Sequence, residues 1–250
     1  MILKEFYLLA ETIKNISKGK KIYYVANPGN WGDALIRYAT IKFFNDHNIK
    51  FKELRAIKKT DWIIPILKHG VLVYGGGGAW CENWNHSYNI LKNKTHLFKK
   101  TIVLPSTYQG EYKLTNTLFF RRDEFESKKF MPESVFCHDM VLYLDSIKTK
   151  FPSKYCTGNF FRMDKEGSGK AVEIENNVDI TRDKDIHSPI YPFIDELSKC
   201  NEINTDKLHI AILGSLLNRK VNFYPGNYFK NKAVYFSSIK DFFPNTNFID

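Results

Sequence analysis

A chain of 250 residues with 43% hydrophobic and 15% aromatic content can bury a full core, which excludes a disordered chain and suits one large domain or two small ones. Its 37 Lys and Arg against 27 Asp and Glu leave a formal charge of +10, favouring an anionic partner such as a phosphorylated metabolite, nucleic acid or an acidic membrane surface without choosing among them. Cys81, Cys137, Cys156 and Cys200 lie far apart with no C-x-x-C pair, so neither a zinc site nor a disulfide framework is indicated and a reducing compartment fits best.

From Met1 to Lys18 apolar residues recur at helical spacing among Lys4, Glu5, Glu11 and Lys14, which predicts an amphipathic helix. The charges interrupt any signal-peptide core, and no stretch reaches the roughly 20 apolar residues a membrane span needs. Lys21 to Val25 reads as a buried strand running into Asn27-Pro-Gly-Asn-Trp-Gly-Asp33, followed by a helix over Ala34 to Phe44 with one broad apolar face. Lys50 to Leu54, Val71 to Tyr74 and Thr101 to Leu104 read as strands, with helical patterns at Ile90 to Lys99 and Glu124 to Phe130. Beyond Pro132 the pattern restarts: Val135 to Cys137, a helix from Met140 to Ile147, a strand over Tyr155 to Arg162, a polar stretch from Asp164 to Lys170 and a strand over Ala171 to Ile174. The last unit is Ile203 to Asp206, a helix over Lys207 to Leu217 and a strand over Lys220 to Tyr224, closed by Pro225 and Gly226. Strands alternating with helices predict an α/β fold with mostly parallel sheets. The restart predicts two lobes, residues 1–132 and 133–250.

Six stretches carry chemistry. In Gly29-Asn-Trp-Gly32-Asp33, two glycines let the backbone approach a ligand and the helix start offers N–H groups to an anion. Asp33 reads either as the N-cap of the helix or as a group orienting a sugar hydroxyl. Gly75 to Gly78 follows the strand ending at Tyr74, placing a turn without side chains at the carboxyl edge of the sheet, where ligands of open α/β sheets collect. It lacks the spacing of a dinucleotide site and the Lys-Ser/Thr of a P-loop. Leu104-Pro-Ser106 and Phe119-Phe-Arg-Arg122-Asp123 also fall at strand ends. Arg122 there suits a carboxylate or phosphate, or else pairs with Asp123 or Glu126 on a solvated helix start. In Asn204-Thr-Asp206-Lys207-Leu208-His209, Thr205 or Asp206 is a good N-cap that puts Lys207 and His209 in the first helical turn. A positive helix end, a cation and an imidazole together would hold a phosphate dianion and supply a proton. A lone helical His is more often a surface residue or a satisfied core residue. Asn227-Tyr-Phe-Lys230-Asn231 is a polar, cationic loop after the last strand.

Taken together, Gly29-Asn-x-Gly-Asp33, Gly75 to Gly78, Leu104-Pro-Ser106, Arg122-Asp123, Arg162-Met-Asp164-Lys-Glu166, Thr205-Asp-Lys-Leu-His209 and Tyr228-Phe-Lys230-Asn231 resemble, in order, the polysaccharide pyruvyl transferase family. The resemblance implies a compact architecture of two Rossmann-like lobes, like glycosyltransferase B, with the acceptor on the first lobe and the donor on the second. It implies phosphoenolpyruvate as donor substrate, with no further cofactor, and a product in which pyruvate forms a ketal on an exopolysaccharide, capsule or cell-wall glycan. By that resemblance His209 is the catalytic candidate. Arg122, Lys207, Leu208, Lys230, Gly76, Gly77 and Ser106 face the donor, and Asn30 and Asp33 the acceptor. Lys207 stands where the family usually has Arg, and Lys lacks the bidentate fork.

The spacing of acidic, His and Cys residues predicts no required metal. The expected location is cytoplasmic, with the basic balance suiting peripheral contact with an anionic inner leaflet where lipid-linked oligosaccharide acceptors are built. Two rival readings are a nucleotide-sugar glycosyltransferase of the same architecture and a non-enzymatic binder of anionic polymers. The first needs a ribose-binding carboxylate that the second lobe does not display. The second, with nucleic acid as its obvious partner, is disfavoured because the 20 Phe and 14 Tyr fall mainly inside apolar periodic segments.

Overall fold

The N-terminal periodicity becomes helix α1 (Lys4–Ser17), which buries Phe6, Leu9, Ala10 and Ile13 and turns its charges outward. The computed structural model describes residues 3–55, 69–145, 156–167, 169 and 174–250. Outside these lie Met1 and Ile2 of the expected first helix, Ser146 and Ile147 of the helix expected from Met140, Tyr155 of the strand expected there, Ser168 and Lys170 of the polar stretch, and Ala171 to Glu173 of the strand expected next. None of the described helices is long and apolar enough to cross a membrane.

In the first half, β1 (Ile22–Val25) and β3 (Val71–Tyr74) are buried along their whole length, as central strands of a parallel sheet are. Between them come α2 (Trp31–Asp46) and β2 (Phe51–Glu53), and after them β4 (Gly77–Trp80), α3 (His86–Leu91) and a 3₁₀ turn Thr95–Leu97. The helix expected over Ile90 to Lys99 is thus divided between a short α-helix and that turn. The sheet continues through β5 (Lys100–Tyr108), β6 (Thr117–Arg121), a short helix α4 (Glu126–Phe130) and β7 (Val135–Phe136). Its order is β2-β1-β3-β5-β6-β7, with β4 also pairing β5, and the paired strands run parallel.

Two expectations change here. The strand from Thr101 does not stop at Leu104 but passes through Pro105 to Tyr108. Its pairing with β6 is irregular between Val103 and Ser106, where a proline without an N–H can be accommodated. The run Gly75 to Gly78 is not simply a turn, since its second half opens β4. A Cβ on Gly75 would lie 2.6 Å from the amide nitrogen of Asn27, and one on Gly76 would lie 2.3 Å from the carbonyl oxygen of Pro105. These glycines are required first by backbone packed against backbone, and Gly77 adds a φ of 133° that suits glycine alone.

The second sheet is four-stranded and parallel, in the order β11-β10-β9-β8, from β8 (Thr157–Phe160), β9 (Glu202–Thr205), β10 (Lys220–Phe223) and β11 (Thr246–Phe248). Helices α5 (Tyr191–Ser198), α6 (Leu208–Leu216) and α7 (Lys230–Ser238) connect its strands. Nearly every residue of α6 is buried, so it needs no polar face. A Cβ on Gly214 would come within 2.9 Å of Val221 and 3.0 Å of Ile203, so glycine at this point lets α6 lie close on the sheet.

The chain thus forms two α/β units with mostly parallel sheets, the fold class expected from sequence. The first comprises Met1–Asn27 and Ile36–Tyr143, the second Pro28–Leu35 and Leu144–Asp250. Set against the expected break after residue 132, the first unit reaches further because β7 pairs with β6 and Tyr143 packs edge-on against Phe6 and Phe43. Residues 28–35 group with the second because Trp31 stacks on Phe193 with centroids 4.8 Å apart and its indole N–H donates to the Pro189 carbonyl at 2.8 Å.

Gly76→Ala should lower the unfolding free energy by about 1–3 kcal/mol, the usual cost of inserting a methyl where neighbours cannot yield. Denaturant melts of the variant beside the parent check this, and an unchanged midpoint would contradict the close approach.

Candidate active site

Because β8, β9 and β10 are parallel, the segments after Phe160, Thr205 and Phe223 all emerge at one edge of the second sheet. Thr205 joins two of them: its hydroxyl donates to the Phe160 carbonyl at 2.7 Å and accepts the Lys207 amide at 3.0 Å. Lys207 is in extended geometry immediately before α6, so it occupies the N-cap position expected for Thr205 or Asp206, and Leu208 and His209 form the first turn. Their amides belong to the group of helix-start N–H donors that intrahelical bonding leaves unsatisfied.

The turn at Gly29 to Asp33 meets that helix start. Helix α2 begins at Trp31, so Asn30, not Asp33, caps it. The Asn30 side-chain oxygen accepts the Gly32 amide at 2.9 Å, while Asp33 Oδ2 accepts the Asn30 amide at 3.1 Å, a reciprocal capping box. A Cβ on Gly29 would lie 1.9 Å from Asp33 Oδ2, and one on Gly32 would lie 2.3 Å from Nδ1 of His209. The two glycines therefore make room for the chain's own carboxylate and imidazole. Trp31 fixes the turn from the other side through Phe193 and Pro189, with the Lys184 ammonium 5.5 Å from its ring centre.

Around this core lies a set of ion pairs. The Lys207 ammonium donates to Asp179 Oδ1 and to the Thr181 hydroxyl, each at 2.6 Å, and is almost wholly buried. Burial pulls its pKa below the ordinary lysine value against the opposing pull of Asp179. Burial would raise the Asp179 carboxyl, but the hydrogen bond and charge of Lys207 outweigh it and hold that group below the usual carboxylate range. Arg162 grips Asp164 through two 2.8 Å bonds and reaches Glu166 at 2.8 Å. Glu166 also accepts from Lys230 at 2.8 Å and from the Tyr228 hydroxyl at 3.1 Å. Here too burial alone would raise Asp164 and Glu166, and their cationic partners bring both below the ordinary value. Lys230 and Asn231, expected in a loop, form the first turn of α7. Asn231 donates to the carbonyls of Asp206 and Tyr224 at 2.6 and 3.0 Å, and its buried Oδ1 accepts from no donor among the described residues.

Of the residues singled out from sequence, the second unit brings together His209, Lys207, Leu208, Lys230, Asn30 and Asp33. Gly76, Gly77, Ser106 and Arg122 belong to the first. Ser106 is fully buried and its hydroxyl donates to the Leu104 carbonyl at 2.8 Å. Arg122 is 1% exposed, with Nε donating to the Thr107 hydroxyl at 2.8 Å and Nη1 to Asp139 Oδ2 at 2.7 Å. Its solvated helix-start reading is thereby corrected: the guanidinium is buried and compensates the Asp139 carboxylate. Sequence reading had not singled out Asp179 and Thr181. Their D-x-T spacing, in which Thr181 donates to Asp179 from both amide and hydroxyl, is a local turn signal that says nothing of Lys207. Among the described residues no group of three or more His, Cys, Asp or Glu is placed to hold a metal ion.

Comparison with known proteins adds the family. The family model described as polysaccharide pyruvyl transferase matches residues 30–228, a span that runs from the capping asparagine to the tyrosine bound to Glu166. A crystal structure of a protein from Klebsiella pneumoniae subsp. pneumoniae, described as uncharacterised, superposes with a TM-score of 0.83 at 28% identity, covering 100% of both chains. A search of curated proteins gives no significant match. With its model spanning most of the sequence, the chain belongs to the polysaccharide pyruvyl transferase family.

Proposed function

We propose that the protein moves a pyruvyl group from phosphoenolpyruvate onto two hydroxyls of one sugar in a polymeric or lipid-linked glycan, closing a ketal and releasing phosphate. The observation that carries the reading is the His209 imidazole held against Gly32 at the start of α6, beside the Asn30 and Asp33 capping box. An imidazole exchanges protons near neutral pH, which the donor chemistry requires.

In this reading His209 protonates C3 of the enol, leaving an oxocarbenium-like C2. One sugar hydroxyl attacks C2 and gives up its proton, which restores the imidazolium. A second hydroxyl then displaces phosphate from the tetrahedral adduct, and its proton leaves with the phosphate. The donor's anionic groups are received by the amides of Leu208 and His209, where a helix start favours negative charge. Lys207 and Lys230 stand behind them, each in contact with a carboxylate of its own, so the donor meets a partly compensated field in place of two bare cations. Asn30 and Asp33, immobilised by their mutual hydrogen bonds, border the ring and orient the acceptor hydroxyls. The buried Asn231 Oδ1 is an acceptor suited to a ligand hydroxyl. No cofactor and no metal enters these steps.

Incubating the protein with phosphoenolpyruvate and a panel of glycan acceptors should give a mass gain of one pyruvyl unit together with equimolar phosphate. Transfer from nucleotide sugars alone would replace this reading with that of a glycosyltransferase. His209→Ala should lower turnover by about 10²–10⁴, the usual worth of general acid catalysis, with the thermal midpoint unchanged. Phosphate release at the parent rate would remove His209 from the chemistry. Gly32→Ala should lose activity to a similar degree without a matching loss of stability. Its methyl displaces the ring, while alanine in a helix is favoured over glycine by about 1 kcal/mol. Parent-like turnover in this variant would show that the ring's place is not required.

A further inference from the structure

Two of the cysteines that lie far apart in the sequence meet at the amino edge of the second sheet. Cys156 immediately precedes β8, and Cys200 lies between α5 and β9. The Cys156 carbonyl accepts the amides of Asn201 at 3.1 Å and Glu202 at 3.4 Å, so the parallel pairing of β8 with β9 already begins at residue 156. Residues two apart on a strand share a face. A Cβ on Gly158 would lie 2.8 Å from Cys200 Sγ, which places that sulfur against the face of β8 shared by Cys156. The Cys156 thiol donates to the Lys199 carbonyl at 3.3 Å, and the two thiols are in hydrogen-bond contact with each other. Such neighbours on adjacent strands are within the reach of a disulfide.

The two sulfurs differ in access. Cys156 is exposed on β8, an edge strand of its sheet, whereas Cys200 is buried. Burial, and then the contact with Cys156, push the Cys200 thiol up to about 12, against the pull of the Arg219 guanidinium. That guanidinium is held over the same turn by a 2.8 Å bond to the Ser198 carbonyl. Thiolates are the nucleophiles of sulfur chemistry, so the solvent-facing Cys156 meets an oxidant first. Its oxidation removes part of what keeps the proton on Cys200, and the Arg219 charge then favours the second thiolate.

We infer that Cys156 and Cys200 form a reversible disulfide in response to peroxide, clamping the start of β8 to the turn before β9. The Cys156 thiolate attacks one peroxide oxygen; the O–O bond breaks, an S–O bond forms, and the departing hydroxide takes up a proton to become water. The Cys200 thiolate then attacks the Cys156 sulfur, forming the S–S bond as the S–O bond breaks and a second water leaves. Two thiols are oxidised and one peroxide is reduced to two waters; a dithiol reverses the bridge by exchange, becoming a disulfide itself. The pair stands at the end of the sheet away from His209 and does not rest on pyruvyl transfer.

The whole protein would be treated with dilute hydrogen peroxide, its remaining thiols capped, and the digest mapped by mass spectrometry without reductant. A peptide joining Cys156 to Cys200, lighter by two hydrogens, is expected, and dithiothreitol should restore both thiols. The bridged form should melt about 5 °C or more above the reduced form, because the cross-link closes a long loop in the unfolded chain. Peroxide should bring no such rise in Cys156→Ser, which alters an exposed side chain. In Cys200→Ser the sulfenic acid at Cys156 should persist and be trapped by dimedone. Absence of the bridged peptide from the treated parent, or a bridged form that melts no higher than the reduced one, would overturn the inference.

Discussion

The His209 ring occupies the space that any residue other than glycine would fill at position 32, with Nδ1 2.3 Å from where a Cβ would stand. Much of this edge of the second unit depends on that shared volume. It brings the first turn of α2 against the first turn of α6, two elements separated by more than 170 residues of sequence. The capping box of Asn30 and Asp33 then keeps the turn from relaxing, and the stacked Trp31 and Phe193 pin its outer side. The imidazole is thereby placed by backbone, which side-chain motion does not easily undo.

Charge at this edge is arranged by compensation. Lys207, Arg162 and Lys230 are each paired with carboxylates while almost removed from water, and these cationic partners hold Asp164, Glu166 and Asp179 below the usual carboxylate range. A buried ion pair of this kind contributes little net stability compared with an apolar substitute, yet losing one partner strands the other. Its value here is positional: Asp179 holds Lys207 at the start of α6, and Glu166 ties Arg162, Tyr228 and Lys230 together across the ends of β8 and β10. A lysine at position 207 fits this arrangement, because a compact ammonium satisfies Asp179 and Thr181 at once without needing a planar fork.

Much of this was legible in the sequence, for reasons that differ by element. Buried strands such as Ile22–Val25 and Val71–Tyr74 announce themselves by short apolar runs, and alternation with helices implied parallel sheets. The glycines at 29 and 32 read as a close approach of backbone to a ligand, but what approaches them is Asp33 and His209, and the second is a contact at long sequence separation that no local pattern reveals. Arg122 was read as a ligand contact because a strand end is where ligands gather. Its partner Asp139 lies 17 residues on, and only the fold shows that the pair is sealed. The extension of β5 through Pro105 was hidden because proline argues against a central strand unless the pairing is locally irregular, as it is here.

The measurement that tests the imidazole's role most directly is chemical rescue. His209→Gly would be assayed for phosphate release from phosphoenolpyruvate and acceptor across a range of free imidazole concentrations. If the ring beside Gly32 is the proton donor, the variant should be nearly inactive alone and recover saturably as imidazole fills the vacated space. A variant as active as the parent without imidazole would contradict that role.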